Sequence, residues 1–364
     1  MSDAMTRPIR HAIYKATPAD FIVTEQLAIE HTHDGEHLWL YITKINLNTA
    51  YVARLLADWA GVPTADVGYS GLKDRHAITH QWFSIRLPTK AVPSVSFTDF
   101  IKPHLHDDES VHISEQVWHG RKLGRGTHKS NHFTITLHAI TGDQTTIDDR
   151  LNQIKTNGVP NYFGEQRFGN DQGNIQKAQG FFEKILAMPK PYRSNKKTAH
   201  RNSLLISTAR SVLFNAMLDA RVADDSWQTA IDGDVFNLDG TGSIFVADID
   251  DDIRTRLRTC DIHPTAPLFG TGTPKHTADA AALYDGVLGR DEFTVFCQGL
   301  LKIDAKMSYR PLRLLVRALT WHWADDVSLV LNFELPKGAF ATVVLSALVD
   351  ELVMGSSSPD TSDA

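Results

Sequence analysis

Cysteine is nearly absent: Cys260 and Cys297 are the only two in 364 residues. That excludes a disulfide framework and a cysteine-rich zinc site, and it fits a reducing, cytoplasmic setting. No apolar run approaches the roughly 20 residues needed to span a bilayer, and Met1 to Arg10 lacks the apolar core of a secretory signal. Excess positive charge is missing too. The formal net charge is −6, which taken as a sum argues against phosphate binding. No glycine-rich nucleotide signature occurs, since Leu268 to Gly272 lacks both the dinucleotide-binding spacing and the P-loop lysine. His76 with His80, and the cluster His104 to Asp108, lack third and fourth partners at metal-ligand spacing, so no metal is expected. No internal repeat or heptad seam is found, and a monomer is the default expectation.

What remains is an ordinary globular composition, 42% hydrophobic and 22% charged, in a chain long enough for two domains. The charge is unevenly spread. Trp118 to Phe133 carries Arg121, Lys122, Arg125 and Lys129 without an acid, and Ile185 to Val212 carries Lys190, Arg193, Lys196, Lys197, Arg201 and Arg210 without an acid. These stretches are candidates for an RNA-binding face or, alternatively, for solvated loops. Acidic runs at Asp224-Asp225, Asp248 to Asp252 and Asp325-Asp326 outweigh them in the sum.

Leu38 to Thr43 reads as a buried strand, and Val52, Leu55, Leu56 and Trp59 recur at helical spacing behind a cap at Asn48 or Thr49, with Gly61 and Pro63 as the stop. Trp82 to Leu87 and Phe133 to Leu137 read as strands, with a helix marked by Ile147, Leu151 and Ile154 after them. A domain crossing is expected near Gly158 to Pro160. Beyond it the pattern predicts a long helix over Ser203 to Arg221 and a hairpin over Val235 to Val246. Strand alternation returns from Val327 to Leu335, a buried helix is expected over Ala339 to Val353, and the tail from Gly355 to Ala364 is expected to be disordered.

One acid stands between two cations in the run Gly71 to Ala77 (GLKDRHA), on a loop ahead of a strand. Neighbouring positive charge favours a carboxylate in its charged form, and an ionised, partly desolvated Asp74 is a candidate nucleophile. The longer segment Gly68 to Trp82 (GYSGLKDRHAITHQW) resembles the signature of the TruD family of tRNA pseudouridine synthases, and Gly158 to Gly169 (GVPNYFGEQRFG) is similar to a second motif of that family. The resemblance continues in order through Asp20 to Glu25, Asn131 to Phe133, Ala209 to Asn215, Asp232 to Asp234 and Leu335 to Thr342, and so spans nearly the whole chain.

That resemblance implies an α+β fold: a pseudouridine synthase catalytic core, with a mixed, largely antiparallel sheet flanked by helices, interrupted by an inserted α+β TRUD domain. The expected bounds are 1–157 with 304–354 for the discontinuous catalytic domain, 158–303 for the insert, and 355–364 for the tail. It also implies isomerisation of uridine 13 in the D arm of tRNA, tRNA(Glu) being the usual bacterial substrate, with no cofactor and no obligate protein partner. Asp74 matches the catalytic aspartate. Phe21, Phe133 and Phe340 match positions lining the uridine pocket, and Asn131 matches an amide that reads a uracil edge or positions the aspartate. Lys15 and Arg75 are candidates both to pair with Asp74 and to hold an RNA phosphate, and the residues do not sort the two roles. Arg167, in the second motif, is read either as a phosphate contact or as a tie between backbone segments.

Two other readings compete. A tRNA-binding or RNA-folding protein would need no carboxylate facing its anionic ligand. A nucleoside or glycoside hydrolase would need a second carboxylate to activate water, for which Glu25, Glu165 and Asp232 are the motif acids.

Overall fold

The computed structural model of the chain describes residues 7–30, 32–169, 172–193 and 198–355. By Cα proximity it divides into two units, one of Pro8–Asp148, Val316–Gly338 and the residues from Val349, the other of Arg7, Asp149–Leu315 and Ala339–Leu348.

The first unit is built on a single ten-stranded sheet. Its strands are β1 (Ile9–Tyr14), β2 (Phe21–Gln26), β3 (His37–Ile45), β4 (Val67–Tyr69), β5 (Ile78–Arg86), β6 (Ser110–His119), β7 (Ser130–Thr141), β14 (Arg317–Asp325), β15 (Ser328–Pro336) and β16 (Val349–Met354). The main path runs β14-β15-β7-β2-β5-β3-β6, with β1 bonded to β7 and β16, and β4 bonded to β5. Only the β1–β16 and β2–β5 pairs are parallel. The sheet is therefore mixed and largely antiparallel.

Helix α1 (Thr49–Ala60) covers part of one face, burying Val52, Leu55, Leu56 and Trp59 against Leu38, Leu40, Phe83 and Ile85. Each such side chain contributes about 1.5–3 kcal/mol when fully buried. The helix ends where Gly61 takes a left-handed conformation (φ 64°), which a residue without Cβ adopts at little cost. Helix α2 (Phe97–Ile101) packs beside it through Phe97 and Ile101. The opposite face is closed locally by Trp39, Trp82, Val117 and Leu123.

Helix α3 (Gln144–Asn157) carries the chain from one unit into the other. The second unit comprises β8 (Val159–Pro160), α4 (Gly173–Ala187), α5 (Ala199–Ala223), β9 (Val235–Leu238), β10 (Ile244–Val246), α6 (Asp251–Arg258), β11 (Ile262–Leu268), α7 (Ala278–Leu288), α8 (Thr294–Lys302), β12 (Ser308–Pro311), β13 (Arg313–Leu314) and α9 (Ala341–Ser346). An antiparallel sheet of order β10-β9-β11-β12 and a short β8–β13 pair accompany the helices. Its core gathers Phe182, Leu213, Phe214, Met217, Tyr284 and Phe296. Arg221 crosses that core fully buried, paired with Asp234 at 2.7 Å and bonded to the carbonyls of Ser226 and Thr229.

The apolar run Ala339 to Val353 does not form one buried helix. Helix α9 stops at Ser346, and Val349–Met354 becomes β16, parallel to β1. Pairing with the main-chain groups of Ile9 to Tyr14 outweighs a helical continuation, and the β-branched Val349 and Val353 suit a pleated surface. The expected tail lies almost wholly outside the described residues, apart from Gly355.

Candidate active site

Strand register decides which side chains meet. On β2, Phe21, Val23 and Glu25 alternate onto one face, directly opposite Ile135, Phe133 and Asn131 of β7. On the other side of β2, Thr79 of β5 pairs with Val23 and with Lys44 of β3. The same face thus carries two buried aromatics, a buried amide, a buried acid and a buried lysine: Phe21 and Phe133, Asn131, Glu25, and Lys44.

The Asp74 loop is tied down over this face from several elements. The main-chain N–H of Lys73 donates to the Thr49 hydroxyl at the start of α1 (3.0 Å), and that hydroxyl donates to Gln81 Oε1 (2.9 Å). Gln81 in turn donates to the Gly71 carbonyl (3.2 Å), and Lys44 Nζ donates to the Asp74 carbonyl (2.9 Å) and to the Leu47 carbonyl (2.6 Å). Ser70 takes the Gly126 N–H on its carbonyl (2.7 Å) and the His128 N–H on its hydroxyl (2.6 Å).

The cation on Asp74 is Lys15. Its Nζ donates to Oδ1 at 2.9 Å and lies 4.1 Å from the centre of the Phe21 ring. Lys15 sits between β1 and β2 in the left-handed region (φ 51°), a conformation that costs a non-glycine residue about 1–3 kcal/mol. The ammonium is buried, whereas about a third of the Asp74 side chain (34%) faces solvent, so the carboxylate keeps one open approach. Phe21 meets Phe133 edge-on at 6.1 Å, and Phe133 stacks on Phe333 at 5.4 Å, which backs the ion pair with an aromatic layer.

The sequence neighbours of Asp74 turn elsewhere, because successive side chains of a non-helical segment leave it in different directions. Lys73 Nζ bonds Glu25 Oε2 at 2.7 Å, both groups buried, while Arg75 donates through Nε to the Asn46 carbonyl (3.2 Å) and lies 3.9 Å from Glu109. Burial raises the Glu25 carboxyl pKa, opposed by the charge and hydrogen bond of Lys73. Burial likewise lowers the Lys44 ammonium to about 7 and His128 to about 4, in the latter case helped by Lys73 and Lys337. Asn131 is 9% exposed and its Oδ1 has no hydrogen-bond partner. That buried acceptor is free for an N–H donor.

A cavity of about 570 Å³ opens beside Asp74, lined among others by Thr49, Tyr51, Arg54, Leu72 and Arg75. Its size suits a nucleotide. Phe21 and Phe133 are not among its lining residues, and Phe340 belongs to the other unit, where it precedes α9.

Of the basic residues singled out in the sequence, Arg121, Lys122, Arg125 and Lys129 are all exposed on the connection from β6 to β7. That connection is bonded to the Asp74 loop through Gly126 and Ser70. Arg125 stacks on Tyr69 (3.9 Å), Lys122 bonds the Ala65 carbonyl, and Lys337 joins them by donating to the Gly126 carbonyl (2.9 Å). Arg167, Lys190, Arg193 and Arg201 fall in the other unit, and Lys196 and Lys197 lie outside the described residues. Neither Lys44 nor Lys337 stood out in the sequence. Lys44 interrupts the apolar alternation of β3 and Lys337 sits in a breaker triplet, and those are the only local signals.

Glu25 carries no side-chain exposure, so it offers no carboxylate to a hydrolytic water. Among the described residues no group of three His, Cys, Asp or Glu side chains is placed to hold a metal, and no helix is long and apolar enough to cross a membrane.

Comparison with known proteins follows the same lines. A family model described as tRNA pseudouridine synthase D (TruD) matches residues 6–201 and 184–348. The chain is 45% identical over 380 aligned positions to tRNA pseudouridine synthase D of Psychrobacter arcticus, covering 97% of this chain and 94% of that protein. It is 43% identical over 352 positions to tRNA pseudouridine synthase D of Pseudomonas putida, covering 97% and 95%. A crystal structure from Methanosarcina mazei, provisionally assigned as a tRNA pseudouridine synthase D, superposes with a TM-score of 0.68 over 95% of each chain. At 20% identity that likeness speaks for the fold alone, which is the pseudouridine synthase α+β architecture.

Proposed function

The chain belongs to the TruD family of tRNA pseudouridine synthases, and we propose that it converts uridine 13 in the D arm of tRNA(Glu) to pseudouridine with the Asp74 carboxylate as nucleophile. One observation carries the reading at the level of the residue: a partly open carboxylate held at 2.9 Å by a buried ammonium, at the mouth of a nucleotide-sized cavity. Such a group is charged, oriented and accessible.

In the proposed reaction an Asp74 oxygen bonds to C1′ of the ribose as the N1–C1′ bond breaks, and N1 leaves with the bonding pair. The uracil turns within the site, and C5 attacks C1′ and displaces the carboxylate. C5 then loses its proton and N1 ends protonated, so the product is an isomer of the substrate and nothing is oxidised or hydrolysed. Lys15 holds the carboxylate in line, and the buried Asn131 amide is suited to read an edge of the detached base. A uridine stacked in the D arm must first flip out, at a cost of about a few kcal/mol. The same reading takes 1–157 with 304–354 as the catalytic domain and 158–303 as the inserted TRUD domain, supported by a sheet that draws strands from both ends of the chain.

The test is to incubate purified protein with unmodified tRNA(Glu) transcript, without added metal or cofactor, and to map pseudouridine by carbodiimide-blocked primer extension. A new stop at uridine 13 is expected with the wild-type chain and none with Asp74→Asn, whose fold and tRNA affinity should persist. Normal turnover by Asp74→Asn would sink the mechanism, and a stop at another uridine would overturn the substrate.

A further inference from the structure

Three arginines of the second unit share one patch in which no acid among the described residues neutralises them. Arg310, on β12, lays its guanidinium 4.1 Å from the centre of the Phe163 ring and 5.5 Å from that of Phe214. Its Nη2 donates to Asn161 Oδ1 at 2.6 Å. Arg167, in the turn after Gly164, lies 5.6 Å from the same Phe163 ring. Arg210 stands one turn before Phe214 on α5 and donates through Nη2 to the carbonyls of Leu268 and Lys306 and to Ser308 Oγ. Ser308 is two residues from Arg310 on β12, and so on the same face of that strand.

Among the described residues none of the three forms an ion pair. Asp219, an acid further along α5, is bonded by the Tyr162 hydroxyl at 2.8 Å. The Nε groups of Arg167 and Arg210 are buried without an acceptor. Burial lowers all three guanidinium pKa values, that of Arg310 to about 10 with the Arg167 charge adding to the fall.

The structural arginine at the centre of the same unit looks different. Arg221 has the Asp234 carboxylate, Tyr284 and two carbonyls, so its charge is paired and its fork is occupied. A largely buried cation without an anion is unfavourable, and stacking on an aromatic ring offsets only part of that cost. The missing anion can come from outside, because all three side chains retain partial exposure. Guanidinium forks match the oxygens of a phosphate bidentately, and converging guanidinium groups match a group with several acceptors.

We infer that Arg167 and Arg310, with Arg210 behind them, form a binding site for one backbone phosphodiester of the substrate RNA. The inference rests on the reading that the chain acts on RNA, but it concerns a contact in the unit that does not carry Asp74.

The experiment is a fluorescence-anisotropy titration of labelled, unmodified tRNA(Glu) transcript with the full chain at a series of KCl concentrations. Arg167→Gln should raise Kd by about tenfold and lower the slope of log Kd against log salt by about one, as loss of one phosphate contact requires. Arg167→Lys should recover part of the affinity, since it restores the charge without the fork. Arg310→Gln should act in the same direction. Its guanidinium packs on Phe163 and bonds Asn161, so a loss there can reflect folding, and the decision rests on Arg167→Gln, whose side chain makes no hydrogen bond among the described residues. A folded Arg167→Gln variant with wild-type Kd and salt slope overturns the site. Binding needs no turnover, so the two readings separate. Arg167-dependent binding without pseudouridine would retain the site and sink the reaction, and turnover with unaltered binding would do the reverse.

Discussion

Lys44 has no solvent exposure and, among the described residues, no carboxylate at ion-pair distance, yet it holds the main chain of the loop that presents Asp74. Burial brings its pKa from the ordinary 10.5 down to about 7, with the Asp74 charge opposing and Lys73 assisting the fall. Between those two values the unfolded chain binds a proton that the folded chain releases, so this group makes stability rise with pH from about 7 towards 10.5. Below 7 both states hold the proton and the burden is constant. Denaturation at pH 7 and pH 9 should therefore show wild type gaining about 2 kcal/mol relative to Lys44→Met, a gain absent if the ammonium titrates normally. The variant should also turn over more slowly at saturating tRNA, with Lys44→Arg restoring less than wild type because a guanidinium does not fit a site shaped for an ammonium. At this scale Asp74 was legible because its neighbours form a rare string. Its cation was legible only as one of two candidates, Lys15 and Arg75, since Lys15 lies 59 residues earlier and the β1–β2 turn is what brings it there.

The helices and strands differ in how plainly they were written. Helix α1 could be read with its stop because Val52, Leu55, Leu56 and Trp59 form one stripe ending at Gly61, and α5 was expected as a long helix over Ser203 to Arg221. Strand β16 was hidden inside an apolar run, where hydrophobicity alone cannot separate a buried helix from a buried strand. Close approach between elements is equally silent in sequence. A Cβ on Gly299 of α8 would lie 2.2 Å from the Phe182 ring of α4, so these helices meet at a distance that only glycine permits. Gly299→Ala should destabilise the second unit by about 1–3 kcal/mol in urea denaturation, as overpacking of a filled core does. An unchanged midpoint would mean that Phe182 rotates freely aside. The buried Lys73–Glu25 pair behaves as a tie between β2 and the Asp74 loop. Glu25→Ala alone should cost about 3–5 kcal/mol, and the double variant Glu25→Ala/Lys73→Met less, because only the single change strands a buried charge.

For the whole molecule the governing fact is that the first strand is completed by the last. Ile9 stands opposite Val349 and Tyr14 opposite Met354, so the sheet beneath the Asp74 loop needs a strand that lies far along the chain from β1. A chain ending at Leu348 leaves β1 as an edge and should lose at least about 5 °C in Tm, a loss of about 4 kcal/mol in a protein of this size. An unchanged Tm would show that β1 is held by β7 alone. Pairings so distant in sequence also predict slow refolding, since loop closure must come before the contacts that reward it. The sequence by itself determined the family, the α+β class and helices α1, α3 and α5, and it singled out Asp74 as the carboxylate to propose as nucleophile, because each rests on local strings or short-period patterns. Only the tertiary structure decided that Lys15 and not an adjacent cation holds Asp74, that Lys73 is spent on Glu25, and that Arg167 and Arg310 meet at one aromatic ring with no ion pair among the described residues. Those facts depend on strand register and on contacts between residues tens to hundreds of positions apart, which no local periodicity encodes.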